Sequence, residues 1–246
     1  MKRLRISAIV SIISISLYAG YNVNQETDSV DLNGIKIAYT VAGKEEDPAV
    51  LMIMGLMASH KVWGEQIVNS LVDTGYRVVL FDNRDTGESD KLDRLGKPNL
   101  YWKFFLSYLG INFSAPYTLS DMAEDGVALL EHLNIQEAHI VGASMGGMIA
   151  QMIASNHPSK TKSLVSIMSS TGAPHLSMWS ESDEENFSNI EDINVEGAHA
   201  YGFYPEAMPR QLTAIFHAGD RSEIVKRISV PTPVSYTHLR AHETTH

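Results

Sequence analysis

The reading of the fold turns on His139-Ile140-Val141-Gly142-Ala143-Ser144-Met145-Gly146-Gly147-Met148-Ile149-Ala150-Gln151. An apolar β-branched run ends in Gly142-Ala143-Ser144-Met145-Gly146, and Met148, Ile149, Met152 and Ile153 follow at helical spacing. The order is strand, sharp turn, helix, with a serine at the turn, which is the context a G-x-S-x-G nucleophile elbow needs. Gly142 and Gly146 leave out Cβ atoms where strand and helix crowd the turn. The Ser144 hydroxyl is thereby pushed out at the strand's carboxyl end. The N–H of Met145 points toward the field of the helix N-terminus, where it can stabilise an oxyanion. The bland alternative is an ordinary serine in a tight strand-to-helix turn. Two further loops argue against it.

Working outward, residues 49–54 are a continuous apolar run, as expected of a strand buried on both faces, and they end at Met54-Gly55-Leu56-Met57. A second buried strand over residues 77–81 runs into Asp82-Asn83-Arg84-Asp85-Thr86-Gly87-Glu88-Ser89. The charges of that loop are expected to hold it through local hydrogen bonds. Residues 30–41 read as a hairpin around Asn33-Gly34, a strong two-residue turn signal. Residues 62–72 read as an amphipathic helix stopped by Asp73-Thr74-Gly75. Between residues 90 and 117 the pattern is less regular, with aromatics at Tyr101, Trp102, Phe104, Phe105 and Tyr108. A buried helix is the expectation there, because aromatics usually mean packing; a flap over substrate is the alternative. Thr118-Leu119-Ser120-Asp121 has the spacing of a helix cap, and its helix is expected to run to about Leu133. The elbow helix should stop at Asn156-His157-Pro158, and residues 163–168 form another buried strand. Residues 175–220 are polar and acidic and read as loops and short helices.

The chain has 246 residues, 44% of them hydrophobic, which suffices for one α/β domain with a sizeable core. A net charge of −10 argues against nucleic acid as a partner. The absence of cysteine excludes disulfides, thiolate metal sites and a cysteine nucleophile, and no metal or cofactor is expected. Basic Lys2, Arg3 and Arg5 precede an apolar run over residues 6–19, short for a membrane span, so residues 1–20 read as a secretory signal or an uncleaved anchor. Export to the periplasm or the exterior, or anchoring by this segment, is the expectation. From Val234 the chain reads Val-Ser-Tyr-Thr-His-Leu-Arg-Ala-His-Glu-Thr, which resembles one reading frame of the transposon-end adapter used for DNA sequencing libraries. The natural sequence is therefore expected to stop near Thr232, with residues 233–246 a non-native tail.

The Gly55 loop, the Asp82 loop and the Ser144 elbow, in this order, resemble those of the α/β-hydrolase superfamily. Phe81 to Gly87, Tyr117 to Ala123 and Val141 to Gln151 look like the branch that includes aclacinomycin methyl esterase. The chain departs from the family's D-x-R-G-x-G-x-S loop at Asp85, where a glycine is usual, and from its usual histidine at Met54. The resemblance implies a mostly parallel central sheet flanked by helices, with a core over 27–172, a lid insertion over 173–223 and the start of the next core strand over 224–232. It also implies acyl transfer to a serine, with a small-molecule ester as substrate. Ser144 is then the nucleophile, and the backbone N–H groups of Leu56 and Met145 form the oxyanion hole. In this fold the acid and the histidine follow the serine, so Asp82 and Asp85, which precede Ser144, are not assigned a catalytic role. None of His60, His132, His139, His157, His175, His199 and His217 substitutes convincingly for the base. The expectation is a serine esterase whose sequence is truncated before its acid and histidine; the alternative is a hydrolase-fold binding protein without a triad.

Overall fold

A computed structural model describes residues 27–173, 198–199 and 202–235. Seven strands form one sheet in the order β1-β2-β4-β3-β5-β6-β7. They are β1 Asp28–Leu32, β2 Ile35–Ala42, β3 Ala49–Ile53, β4 Arg77–Phe81, β5 Ala138–Ala143, β6 Thr161–Ile167 and β7 Val234–Ser235. The hairpin β1–β2 and the pair β2–β4 are antiparallel, and all other pairings are parallel. The hairpin turns at Asn33 and Gly34 with φ of 51° and 79°, the left-handed values a two-residue turn of this type requires.

All five residues of β3 are buried because helices cover both faces of the sheet. Side chains alternate across a strand, so Leu51 and Ile53 join one core cluster while Val50 and Met52 join the other. The first cluster takes in α3 (Leu119–His132), α4 (Met145–Asn156) and α5 (Met208–Ala218). The second is covered by Trp63 and by Val68 of α1 (Glu65–Asp73). Helix α3 starts where the sequence placed it: Asp121 N donates to Thr118 Oγ1 at 3.1 Å and Thr118 N to Asp121 Oδ2 at 2.7 Å.

Four expectations need correction or limits. The helix expected over 62–72 begins only at Glu65, because Gly64 takes φ 74° and separates it from a 3-10 turn at His60–Trp63. The helix expected between 90 and 117 exists as α2 (Leu100–Tyr108), capped by Asn99, but its aromatics are exposed rather than buried. The region expected to be a lid lies partly outside the described residues, over 174–197. Its described part is not all solvated face, since α5 puts Met208, Leu212 and Ile215 into the core. The strand expected over 224–232 is displaced. Ser222–Val225 is a single helical turn (α6), and Ser222 N donates to Asp220 Oδ1 at its start. The chain reaches β6 at Pro231, whose carbonyl accepts from Leu164 N at 2.9 Å, and β7 falls within the segment read as a tail. Residues 1–26 and 236–246, with the signal or anchor segment and most of that tail, lie outside the described residues.

Candidate active site

Strand β5 delivers Ser144 to the carboxyl end of the sheet with φ 56° and ψ −123°, a backbone conformation that few non-glycine residues adopt. Ser144 N donates to Ile167 O at 2.8 Å, and its own carbonyl accepts from Gly147 N at 2.9 Å and Met148 N at 3.3 Å. The flanking glycines are required by close approach. A Cβ on Gly142 would lie 2.1 Å from Gly146 O, and one on Gly146 would lie 2.1 Å from Ile53 O. The Gly55 loop abuts the serine directly: a Cβ on Gly55 would stand 3.0 Å from Ser144 Cβ and 3.5 Å from its Oγ. Among the described residues, neither the Ser144 hydroxyl nor the N–H groups of Leu56 and Met145 find a hydrogen-bond partner. Met145 opens α4, so its free N–H lies at the positive end of the helix dipole.

The loop carrying Leu56 is held on several sides. Asn83 Nδ2 donates to Met54 O at 2.8 Å. Met57, itself at φ 61°, donates its N–H to Gln211 Oε1 at 2.7 Å and accepts at its carbonyl from Tyr204 N at 2.9 Å. Gln211 is fully buried on α5. Neither Gln211 nor its neighbour Arg210 was singled out in the sequence. The available signal was Pro209 at a helix start followed by Leu212, Ile215 and Phe216 at helical spacing.

The Asp82–Ser89 loop is bonded throughout. Asp82 accepts from the ring Nδ1 and the backbone N of His60, both at 2.7 Å, and from Glu88 N at 2.6 Å. Burial alone would raise its carboxyl, but the His60 ring and these backbone donors outweigh that and hold it below the ordinary aspartate range. Arg84 forms a forked pair with Asp125 at 2.7 and 2.8 Å. Asp85, the departure from the resembled loop pattern, adopts φ 75°. Its carboxylate accepts from Leu92 N at 2.9 Å, Tyr117 OH at 2.8 Å, Arg210 Nε at 2.5 Å and Arg210 Nη2 at 2.9 Å. Burial, and then the charge of Asp85, push the Tyr117 hydroxyl up, which keeps it protonated as the donor.

The described histidines have other partners. His60 lies between Asp82 and Thr40, His132 faces Tyr39, and His139 meets Ser163. His157 and His199 pair with Glu124 and Glu206, and His217 stands edge-on to Phe113. His175 and the tail histidines lie outside the described residues. Among the described residues no cluster of three His, Asp or Glu side chains could hold a metal ion.

A serine on a strained strand-to-helix turn, faced by a glycine loop with a free N–H, is the site architecture of one large group of hydrolases. Over residues 48–197 the chain matches the family described as the alpha/beta hydrolase fold, and it belongs to that family. It is 32% identical over 122 residues to a rhodomycin D methylesterase from Streptomyces peucetius, a match covering 50% of this chain and 35% of that protein. It is 30% identical over 127 residues to a putative carbamate hydrolase from Variovorax paradoxus, covering 52% and 40%. The match thus spans about two fifths or less of the curated relatives' length, and the methylesterase branch named from sequence is represented among them. The solved esterase from Exiguobacterium antarcticum superposes with a TM-score of 0.62 at 19% identity, covering 85% of this chain and 80% of that one. The enol-lactonase from Burkholderia xenovorans gives 0.60 at 18% identity, covering 86% and 82%. At these identities the solved structures speak for the fold alone.

Proposed function

We propose that this protein hydrolyses a carboxylic ester, or a related acyl bond, of a small molecule through an acyl-enzyme on Ser144. The observation that carries the reading is the free Ser144 hydroxyl on a strained backbone, packed against Gly55 and beside two unpaired N–H groups. In this reading Ser144 Oγ attacks the substrate carbonyl as a base removes its proton, and the N–H groups of Leu56 and Met145 take the developing oxyanion. The tetrahedral adduct collapses, the alcohol leaves with a proton returned by the base, and water repeats the sequence to release the acid. Asn83, Gln211 and Tyr204 keep the Leu56 donor in place before substrate arrives. The base and its orienting acid are supplied after Ser144, from sequence beyond the residues described, since each described histidine is engaged elsewhere. The names of the relatives, methylesterase and enol-lactonase among them, favour esters and lactones as the substrate class.

The test is hydrolysis of short p-nitrophenyl esters by the complete polypeptide and by its Ser144→Ala variant. The reading expects turnover in the first. In the second it expects a fall toward the roughly 10³–10⁴-fold over water that an oxyanion hole and binding retain without a triad. Equal turnover by both removes Ser144 from the chemistry. No turnover by either supports the non-catalytic binding protein. Residues 1–20 we read as an export signal or anchor; recovery of the complete protein from the cytosol with its N-terminus intact would contradict that.

A further inference from the structure

We propose that the exposed face of α2 and the turn after it is a docking surface for an anionic lipid bilayer. Among the described residues, seven of the nine large exposed hydrophobic side chains lie between residues 101 and 111. Tyr101, Phe105 and Tyr108 recur at helical spacing and form one stripe. Trp102 flanks it, stacked on Phe105 at 5.6 Å, and the apolar surface continues into Leu109 and Ile111. Exposure reaches 85% at Tyr101 and 81% at Tyr108, so these rings face solvent and not the core. The helix is anchored from its other side: Ser107 Oγ donates to Phe216 O at 3.0 Å, and Phe104 meets the Phe216 ring edge-on at 5.6 Å. The exposed arc is therefore presented by a seated helix. A soluble surface rarely leaves a contiguous aromatic patch of this kind without a partner.

Charge selects among partners. From Arg94 to Ser120 the sequence holds three cations, Arg94, Lys97 and Lys103, and no Asp or Glu, within a chain of net charge −10. Arg94 and Lys97 are exposed in the loop that leads into α2. Two copies of this chain meeting through the patch would bring like charges together. A bilayer surface bearing anionic headgroups attracts the cations, while tyrosine and tryptophan rings place an apolar body and a polar tip at the headgroup level. No described helix is long and apolar enough to cross a membrane, so the mode is surface attachment by an aromatic face. The inference stands on α2 alone and needs neither the esterase reading nor the N-terminal segment.

The chain contains three tryptophans, Trp63, Trp102 and Trp179, so Trp102 can be isolated by difference against Trp102→Phe. The complete polypeptide is mixed with vesicles of phosphatidylcholine and phosphatidylglycerol, or of phosphatidylcholine alone, each containing brominated lipid. The expected result is quenching of the Trp102 component on the anionic vesicles. Arg94→Gln and Lys97→Gln should each weaken that binding about fivefold. Tyr101→Ser, Phe105→Ser and Tyr108→Ser together should abolish Trp102 quenching while leaving ester hydrolysis of a soluble substrate in place. Three results would overturn the proposal. One is vesicle binding, through the N-terminal segment, with Trp102 unquenched. Another is quenching indifferent to lipid charge and to the Gln variants. The third is concentration-dependent self-association, or capture of an acidic protein, with no vesicle binding. If the triple variant does not fold, the native-chain quenching result decides alone.

Discussion

The elbow after β5 and the loop after β4 stand at the same end of the sheet, one on each side of β3, and each contains a non-glycine residue in the left-handed region. Asp85 at φ 75° fills its carboxylate with bonds from Leu92, Tyr117 and Arg210. Ser144 at φ 56° leaves its hydroxyl without a described partner. Similar backbone strain thus serves opposite ends. At Asp85 the side chain compensates the strain and ties α5 to the loop. At Ser144 the strain is maintained by the backbone bonds and by crowding at Gly142 and Gly146, and the hydroxyl keeps no described partner, as the proposed nucleophile requires.

The sharpest way to break the contrast is at the crowded glycines. Gly146→Ala places a methyl about where Ile53 O already stands, and no side chain can move to relieve it. Loss of cooperative unfolding, or destabilisation beyond about 4 kcal/mol, is expected in calorimetry. Asp85→Ala keeps the strained backbone and removes the carboxylate from a buried Arg210. Asp93 still reaches Arg210 from the surface at 2.7 Å, so the expected cost is about 3 kcal/mol, at the low end for a broken buried pair. Asp85→Gly should recover about 1 kcal/mol of that, because glycine accepts the left-handed conformation. Equal stability of the two variants would mean the strain at Asp85 is illusory.

Smaller effects sharpen the link between the loops. Gln211→Leu orphans the Met57 N–H in a buried place, and a cost of about 1–3 kcal/mol is expected by chemical denaturation. If the loop positions the oxyanion donor, kcat falls about 10- to 100-fold with KM little changed. A stability loss with unaltered kcat would make Gln211 purely structural. The gentlest probe is pH. The Asp82 carboxyl is held below its unfolded value, so its contribution is present above the unfolded aspartate pKa of about 4 and is lost as pH falls through the lower folded value. The thermal midpoint should therefore drop in that acid window for the native chain and drop less for Asp82→Asn, which has no proton to gain.

What the sequence made legible was local. The elbow, the two apolar strands, the Asn33-Gly34 turn and the Thr118 cap each carry their signal within a few residues, and each is found in place. The sequence also marked the Gly55 loop and the start of α4, where the N–H groups of Leu56 and Met145 have no described partner; their oxyanion role is part of the proposal. The bonds that fix those loops were not legible. Arg210 reaches Asp85 and Gln211 reaches Met57 across more than a hundred residues, and neither pairing leaves a periodicity to read. The partner of His60 was not legible either, because its pairing with Asp82 depends on sheet order, which brings the ends of β3 and β4 together. The aromatics of α2 were misjudged for a related reason. Aromatic density predicts burial only where a neighbour exists to cover it, and no described element covers that face.

The central claim is that Ser144 is the activated nucleophile, and an active-site serine probe tests it most directly. The complete polypeptide is treated with a fluorophosphonate, digested, and the adduct located by mass spectrometry. The account predicts a single stoichiometric adduct on the peptide containing Gly142-Ala143-Ser144, absent in Ser144→Ala and lost on acid or heat unfolding. Labelling of Ser144→Ala equal to the native chain, or an adduct on another serine alone, would contradict it.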